Sequence, residues 1–270
     1  MTDRPTASSF WLAVATLWWR ELVGFYRHTS RVVGALGTPV VFWLLIGSGI
    51  GSSFRLGDTS GQMNYLEYFF PGTVVLILLF TSVFTMMSVI EDRREGFLRS
   101  VLVAPIPRSS LVLGKTLGGA TLALLQGLVF VFLAPAAGIP LGLTEFIYAA
   151  GALFLVALAL AGLGFLLAWR LDSVQGFHAV TTLVLLPLWL LSGALFPASG
   201  ASPWIRWLMM LNPLTYAVAL VRRAFYLDLA RVPSGEPSLT VALAVTIGFA
   251  LATILAAFWA AETPTEGDWG

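Results

Sequence analysis

The sequence predicts an all-α, polytopic membrane protein. It has six transmembrane helices, an N-terminal amphipathic helix at the membrane interface and an outer re-entrant helical hairpin before the last span. Three observations carry that expectation. Hydrophobic residues make up 58% of the 270-residue chain and charged residues only 11%, where a soluble domain has about 25% charged residues. Six stretches, at roughly 32–51, 70–90, 117–137, 146–169, 174–196 and 239–260, reach the ~20 apolar residues that a spanning helix needs. The remaining charges are gathered into short blocks between them. Residues 1–31 form a tail plus the interfacial helix, and residues 32–270 form the six-helix unit. Lipid offers the backbone no hydrogen-bond partners, so each span must be a helix.

The N-terminal stretch is not a clean span, because Arg20 and Glu21 interrupt it. No small-residue cleavage site follows an uninterrupted apolar core, so it does not read as a signal peptide. On a helical wheel Arg20, Arg27 and Arg31 fall within about 40° of one another. Trp11, Val14, Trp18, Leu22 and Phe25 share the opposite face, flanked by Trp19 and Tyr26. Such a helix lies in the interface, aromatics at headgroup depth and the Arg row in water or on anionic lipid. Periodicity is equally compatible with a simple anchor and with a helix that also touches a cytoplasmic partner.

Orientation follows from Arg and Lys. With both termini in the cytoplasm, the inner side holds Arg4, Arg20, Arg27, Arg31, Arg93, Arg94, Arg99, Arg108, Lys115 and Arg170. The outer side holds Arg55, Arg206, Arg222, Arg223 and Arg231.

The densest charge lies between the second and third spans. Glu91-Asp92-Arg93-Arg94-Glu95-Gly96-Phe97-Leu98-Arg99 is followed by Pro105, Pro107, Arg108 and Leu113-Gly114-Lys115. Glu91 to Arg99 has the length of two helical turns, with Glu91 and Glu95 on one face. Pro105 and Pro107 stop that helix and force an extended turn. Leu111 begins the next climb. A solvated loop obeying the positive-inside rule accounts for the arginines. It does not account for the acidic residues, Gly96 or the paired prolines. A rigid, charged elbow on which a water-soluble partner docks accounts for all of them.

The small residues Gly47, Gly49 and Gly51, Gly114 and Gly118, and Gly162 and Gly164 let helices approach closely. Pro39, Pro135 and Pro187 are expected to bend their helices. Beyond the fifth span, Pro197 and Pro203 frame a small-residue turn, and Trp204 to Met210 reads as a short interfacial helix. Asn212-Pro213 is an initiation signal, with Asn as cap and Pro at the first helical position. A second short helix over Leu214 to Leu227 completes a hairpin that either dips into the outer leaflet or lies flat on it. Arg222 and Arg223 near its end are placed to bind outer headgroups or to line an exit for an anionic substrate.

Several function classes drop out. No Asp, Glu, Lys or Arg sits at the centre of a span, whereas ion-coupled transporters carry buried ionisable residues there. A phosphate-binding loop, a His-Glu-x-x-His pair and a Gly-x-Ser-x-Gly elbow are all missing, so neither ATP hydrolysis nor intramembrane hydrolysis is expected of this chain. Two His and no Cys leave too few ligands for a zinc site. A net charge of +1 gives no sign of nucleic acid.

Two stretches together, in this order, resemble the permease subunits of type-2 ATP-binding-cassette exporters. That family includes bacterial drug-resistance, nodulation-factor and polysaccharide export permeases. The stretches are Glu91 to Lys115, and Leu191-Ser192-Gly193-Ala194-Leu195-Phe196-Pro197 followed by Leu211-Asn212-Pro213-Leu214-Thr215-Tyr216. The resemblance implies that 91–99 is the coupling helix against the ATPase, through Glu91, Arg93, Arg94, Glu95, Gly96, Leu98 and Arg99. It makes 10–31 the connecting helix, with Trp18, Arg20, Glu21 and Arg27, and 197–227 the outer hairpin, marked by Pro197, Asn212, Pro213 and Tyr216. It further implies a bacterial cytoplasmic membrane, a second permease copy, identical or related, and separate ATPase subunits that bind ATP and Mg²⁺. The chain itself then binds no cofactor. Sparse polarity in the spans suits an amphipathic or lipid-linked substrate, and a glycan remains compatible. Competing readings are an ion-coupled or facilitative carrier and a non-transporting structural membrane protein.

Overall fold

The computed structural model describes residues 7–27, 29–50, 63–104, 106–227, 232–233 and 235–263. These form eleven α-helices: α1 Ala7–Arg27, α2 Thr29–Ile50, α3 Tyr65–Thr85, α4 Met87–Arg94, α5 Phe97–Val103, α6 Arg108–Val131, α7 Leu143–Arg170, α8 Val174–Trp189, α9 Pro203–Leu211, α10 Pro213–Phe225 and α11 Leu239–Glu262. Among the described residues there are six apolar stretches of membrane-crossing length: Val33–Ile50, Tyr65–Arg94, Arg108–Val131, Leu143–Arg170, Val174–Ala194 and Leu239–Glu262. The six-span expectation therefore stands, with shifted boundaries. Residues 51–62, between the first two spans, lie outside the described residues.

α3 is the central post, buried over most of its length. It packs against α2, α6 and α7, and α7 packs in turn against α11. Small residues set these approaches. A Cβ on Gly164 would stand 2.9 Å from the Val83 Cα of α3, and one on Gly162 would stand 2.8 Å from the Thr253 Oγ1 of α11. In lipid, where apolar burial against tails gains little, such close backbone packing is what holds spans together.

Helix starts follow their caps. Asn64 Oδ1 accepts from the Glu67 N–H at 2.7 Å, and Ser173 Oγ accepts from the Gly176 N–H at 3.0 Å. These satisfy amide donors that the first helical turn leaves open.

The third span departs most from expectation. α6 begins at Arg108, nine residues before the predicted start, because Arg108 and Lys115 both find partners on neighbouring elements. It ends at Val131, so Pro135 lies beyond it in a 3₁₀ turn, Ala134–Ala137. Pro135 has no N–H to offer the Val131 carbonyl, so the helix stops instead of bending. Pro39 sits inside α2 and Pro187 inside α8. Past Pro187, α8 widens into a π-turn over Leu190–Ala194, where Gly193 has φ +79°.

Candidate coupling site

The charged elbow does not contain one helix over 91–99. α4 continues the second span as far as Arg94, and Gly96, at φ +78°, breaks the chain before α5 begins at Phe97. L-residues other than Gly rarely adopt that conformation, so the break belongs to this glycine. Glu91 and Asp92 thus ride on the end of the span, and Leu98 anchors α5 at 1% exposure.

On the inward side of this corner, α1, α4 and α6 exchange charges. Lys115 of α6 is fully buried and its Nζ pairs with Glu21 Oε1 at 2.6 Å and with Asp92 Oδ2, while donating to Ser88 Oγ at 3.0 Å. Ser88 Oγ donates in turn to Glu21 Oε2 at 2.8 Å. Arg20 grips Asp92 with both terminal nitrogens, at 3.0 and 2.5 Å, and its guanidinium lies 3.6 Å over the Phe97 ring. Burial works against the Arg20 charge. The hydrogen bond and charge of Asp92 outweigh it, so the pKa is raised above its ordinary value. Two cations and two anions balance, and every member has a partner, which is the condition for tolerating such a cluster away from water.

Two glycines make the approach possible. A Cβ on Gly118 would meet the Glu21 Cβ at 2.7 Å, and one on Gly114 would meet the Leu17 Cβ at 2.6 Å. α1 therefore rests directly on α6, and Trp18 Nε1 donates to Thr121 Oγ1 at 3.1 Å. This corrects the wheel reading on two points. Arg20, though its side chain stays 40% exposed, is engaged by Asp92 and Phe97, and Val14, Leu22 and Phe25 of the opposite face are buried against the protein, while Trp11 is 62% exposed. Arg27 is exposed, as expected.

The elbow is stapled on its far side as well. Arg93 donates to Asp172 Oδ1 at 3.1 Å and to the Trp169 carbonyl at 2.8 Å. Arg94 reaches the Asp172 carbonyl at 3.0 Å, and Arg108 the Ala261 carbonyl at 2.9 Å. Glu95 and Arg94 keep exposed faces. The side chains of Arg31 and Arg99 lie outside the described residues. A polar cleft of about 500 Å³, lined by Arg20, Glu21, Arg27, Ser88, Glu91, Asp92 and Glu95, opens beside the quartet.

Asp92 and Lys115 are the residues that pattern reading passed over as site members. The signal was available: a lysine between two small residues at the start of a span, and an acid facing away from Glu91 and Glu95. Buried ionisable groups do exist in this chain, among them Glu21, Asp92 and Lys115. Asp92 and Lys115 lie toward the ends of their spans, not at their centres.

At the other membrane face, α9 and α10 meet at 81°. Asn212 caps α10 through Oδ1, which accepts the Leu214 N–H at 3.0 Å, and its Nδ2 donates to the Leu188 carbonyl at 2.5 Å. Pro213 is the first helical residue and Tyr216 OH donates to the Met210 carbonyl at 2.8 Å. α10 is buried along most of its length, whereas α9 exposes Trp204 and Trp207. Pro197 leads the short turn before α9. Arg222 does not line an exit. It is 1% exposed, pairs with Glu236, lies 4.4 Å over the Tyr68 ring and donates to the Tyr68 and Gly193 carbonyls at 3.2 Å. None of the described residues forms a group able to hold a metal ion.

The family profile for ABC-2 type transporters matches residues 13–226, a range that takes in the α1–α4–α6 corner, the elbow and both hairpin helices. The chain belongs to the ABC-2 type transporter family. It is similar to the inner membrane transport permease YadH of Escherichia coli K12, 24% identical over 218 residues that cover 80% of this chain and 84% of that protein. It is also similar to Nodulation protein J of Rhizobium leguminosarum bv. trifolii, 27% identical over 225 residues covering 82% and 83% of the two chains. Nodulation protein J of Neorhizobium galegae is 25% identical over 228 residues, 82% of each chain. This ABC-2 protein is therefore a multi-pass membrane transport permease.

Proposed function

We propose that this permease is the membrane subunit of an ATP-driven exporter, held in the bacterial cytoplasmic membrane with both termini inside. The observation that carries the reading is the Glu21–Lys115–Asp92–Arg20 quartet directly behind an elbow with exposed charge. A separate ATPase subunit, which binds ATP and Mg²⁺, docks on α5 and on the exposed residues around Glu95. The elbow cannot tilt without dragging α1 and α6, because breaking a buried pair costs about 3–5 kcal/mol. Closure of the ATPases thus reaches the spans as a rigid-body shift between two states. No catalytic step falls to this chain.

A second permease copy completes the path. α8 buries one stripe, Phe177, Thr181, Leu185 and Trp189, and leaves Leu183 77% exposed on another face. α2 is likewise covered on one side only. Those free faces suit a second copy across a central route. The apolar spans favour an amphipathic, lipid-linked or glycan cargo. An ion-coupled carrier would need an acid that cycles its proton, and Asp92 and Glu21 are both held by Lys115.

Co-purification of the tagged permease with its cognate ATP-binding-cassette ATPase tests this reading. Wild type retains the ATPase, and Glu91→Lys with Glu95→Lys loses it while inserting normally. Equal retention by both would sink the docking assignment.

A further inference from the structure

A groove of about 540 Å³ runs where α7, α10 and α11 meet, at the end of α7 away from the elbow. Its walls are apolar: Ile147, Gly151 and Leu155 on α7, Leu220 on α10, Leu243 on α11. Thr144 and Leu239, at the starts of their helices, mark its mouth. Arg223 is the cation of the groove. Its Nε donates to the Pro237 carbonyl at 2.8 Å, and its two terminal nitrogens have no partner among the described residues.

The dimensions match a lipid. Thr144 to Leu155 covers ~16 Å of helix at 1.5 Å per residue. One leaflet accounts for about half of the ~30 Å hydrocarbon core. The groove is therefore one acyl chain deep, with a guanidinium at its mouth whose two terminal nitrogens, unpartnered among the described residues, have the fork geometry that suits a phosphate. We propose that this groove is a binding site for a single anionic phospholipid of the leaflet opposite the coupling corner. Its acyl chain lies along α7 and its phosphate group rests on Arg223. The inference does not depend on what the permease exports.

Two variants separate the parts of the site. Arg223→Gln removes the charge and leaves the groove. Gly151→Leu fills the groove, and its Cβ meets nothing within 4 Å, so the side chain starts into open space and not into a neighbouring helix. The experiment is native mass spectrometry of the purified permease from micelles holding equal mole fractions of phosphatidylglycerol and phosphatidylcholine. Wild type is expected to carry one tightly held lipid, with phosphatidylglycerol preferred roughly fivefold, the weight of one interfacial Arg charge. Arg223→Gln brings the two lipids to parity, and Gly151→Leu removes both. Equal binding of the two lipids by wild type would overturn the proposal, as would an unchanged preference in Arg223→Gln. If Gly151→Leu alters the monomer–dimer ratio and leaves the lipid count unchanged, the groove belongs to a second copy and the proposal fails.

Discussion

Both membrane faces of this permease bury a cation, but they hold it differently. At the coupling corner Lys115 and Arg20 face Asp92 and Glu21, so side chains from three helices settle one another's charge. At the hairpin corner Arg222 meets one carboxylate, Glu236, and otherwise leans on backbone carbonyls and the Tyr68 ring. The Gly193 carbonyl is open to Arg222, and to Tyr68 OH at 2.8 Å, because the π-turn interrupts the helix there. The first arrangement binds helices to each other and moves as one body. The second seals a break within the fold and stays put.

That contrast can be broken most forcefully at Lys115. Lys115→Met leaves two buried carboxylates facing each other across one remaining arginine. We expect a loss of about 3–5 kcal/mol, read as a large fall in the thermal midpoint of the purified permease. Arg222→Gln keeps an amide donor for the carbonyls or for Glu236, which is itself 13% exposed, so a smaller loss of about 1.5–3 kcal/mol is expected in the same assay. Should Arg222→Gln cost more than Lys115→Met, the ranking of the two corners is reversed.

Gly118→Leu tests the seat of α1 on α6. The added side chain has no room beside Glu21 and should cost about 1–3 kcal/mol, with cleavage of α1 by added protease as a second readout. Gly193→Ala tests the seal at the other face. A non-Gly residue at φ +79° should cost about 1–2 kcal/mol, visible in the midpoint without release of α1.

The spans were legible because ~20-residue apolar runs have few other meanings. The Asn212-Pro213 start of α10 was legible too, since cap chemistry is local. Gly96 stood out within the elbow, yet its positive φ, and hence the split between α4 and α5, depends on the turn that the rest of the fold demands. The Arg20–Asp92 pair joins residues 72 apart in sequence, and no periodicity within either helix reports it. The wheel therefore sent Arg20 to water, although Glu21 beside it and Gly118 across from it belong to the same contact. The start of α6 at Arg108 was missed for the same reason: a charge ends an apolar run on paper, and a partner lets the helix continue.

The central claim is that the quartet makes α1 and the elbow a single body. The chain has no cysteine, so spin labels can be placed at Trp19→Cys on α1 and Ser100→Cys on α5, both exposed. The distance between them, measured by pulsed electron resonance in the complex with its ATPase, should be one narrow distribution that is the same without nucleotide and with ATP bound. The same pair in an Arg20→Gln background should broaden. A wild-type distance that shifts when ATP binds would show that α1 and the elbow move apart, and would contradict the account.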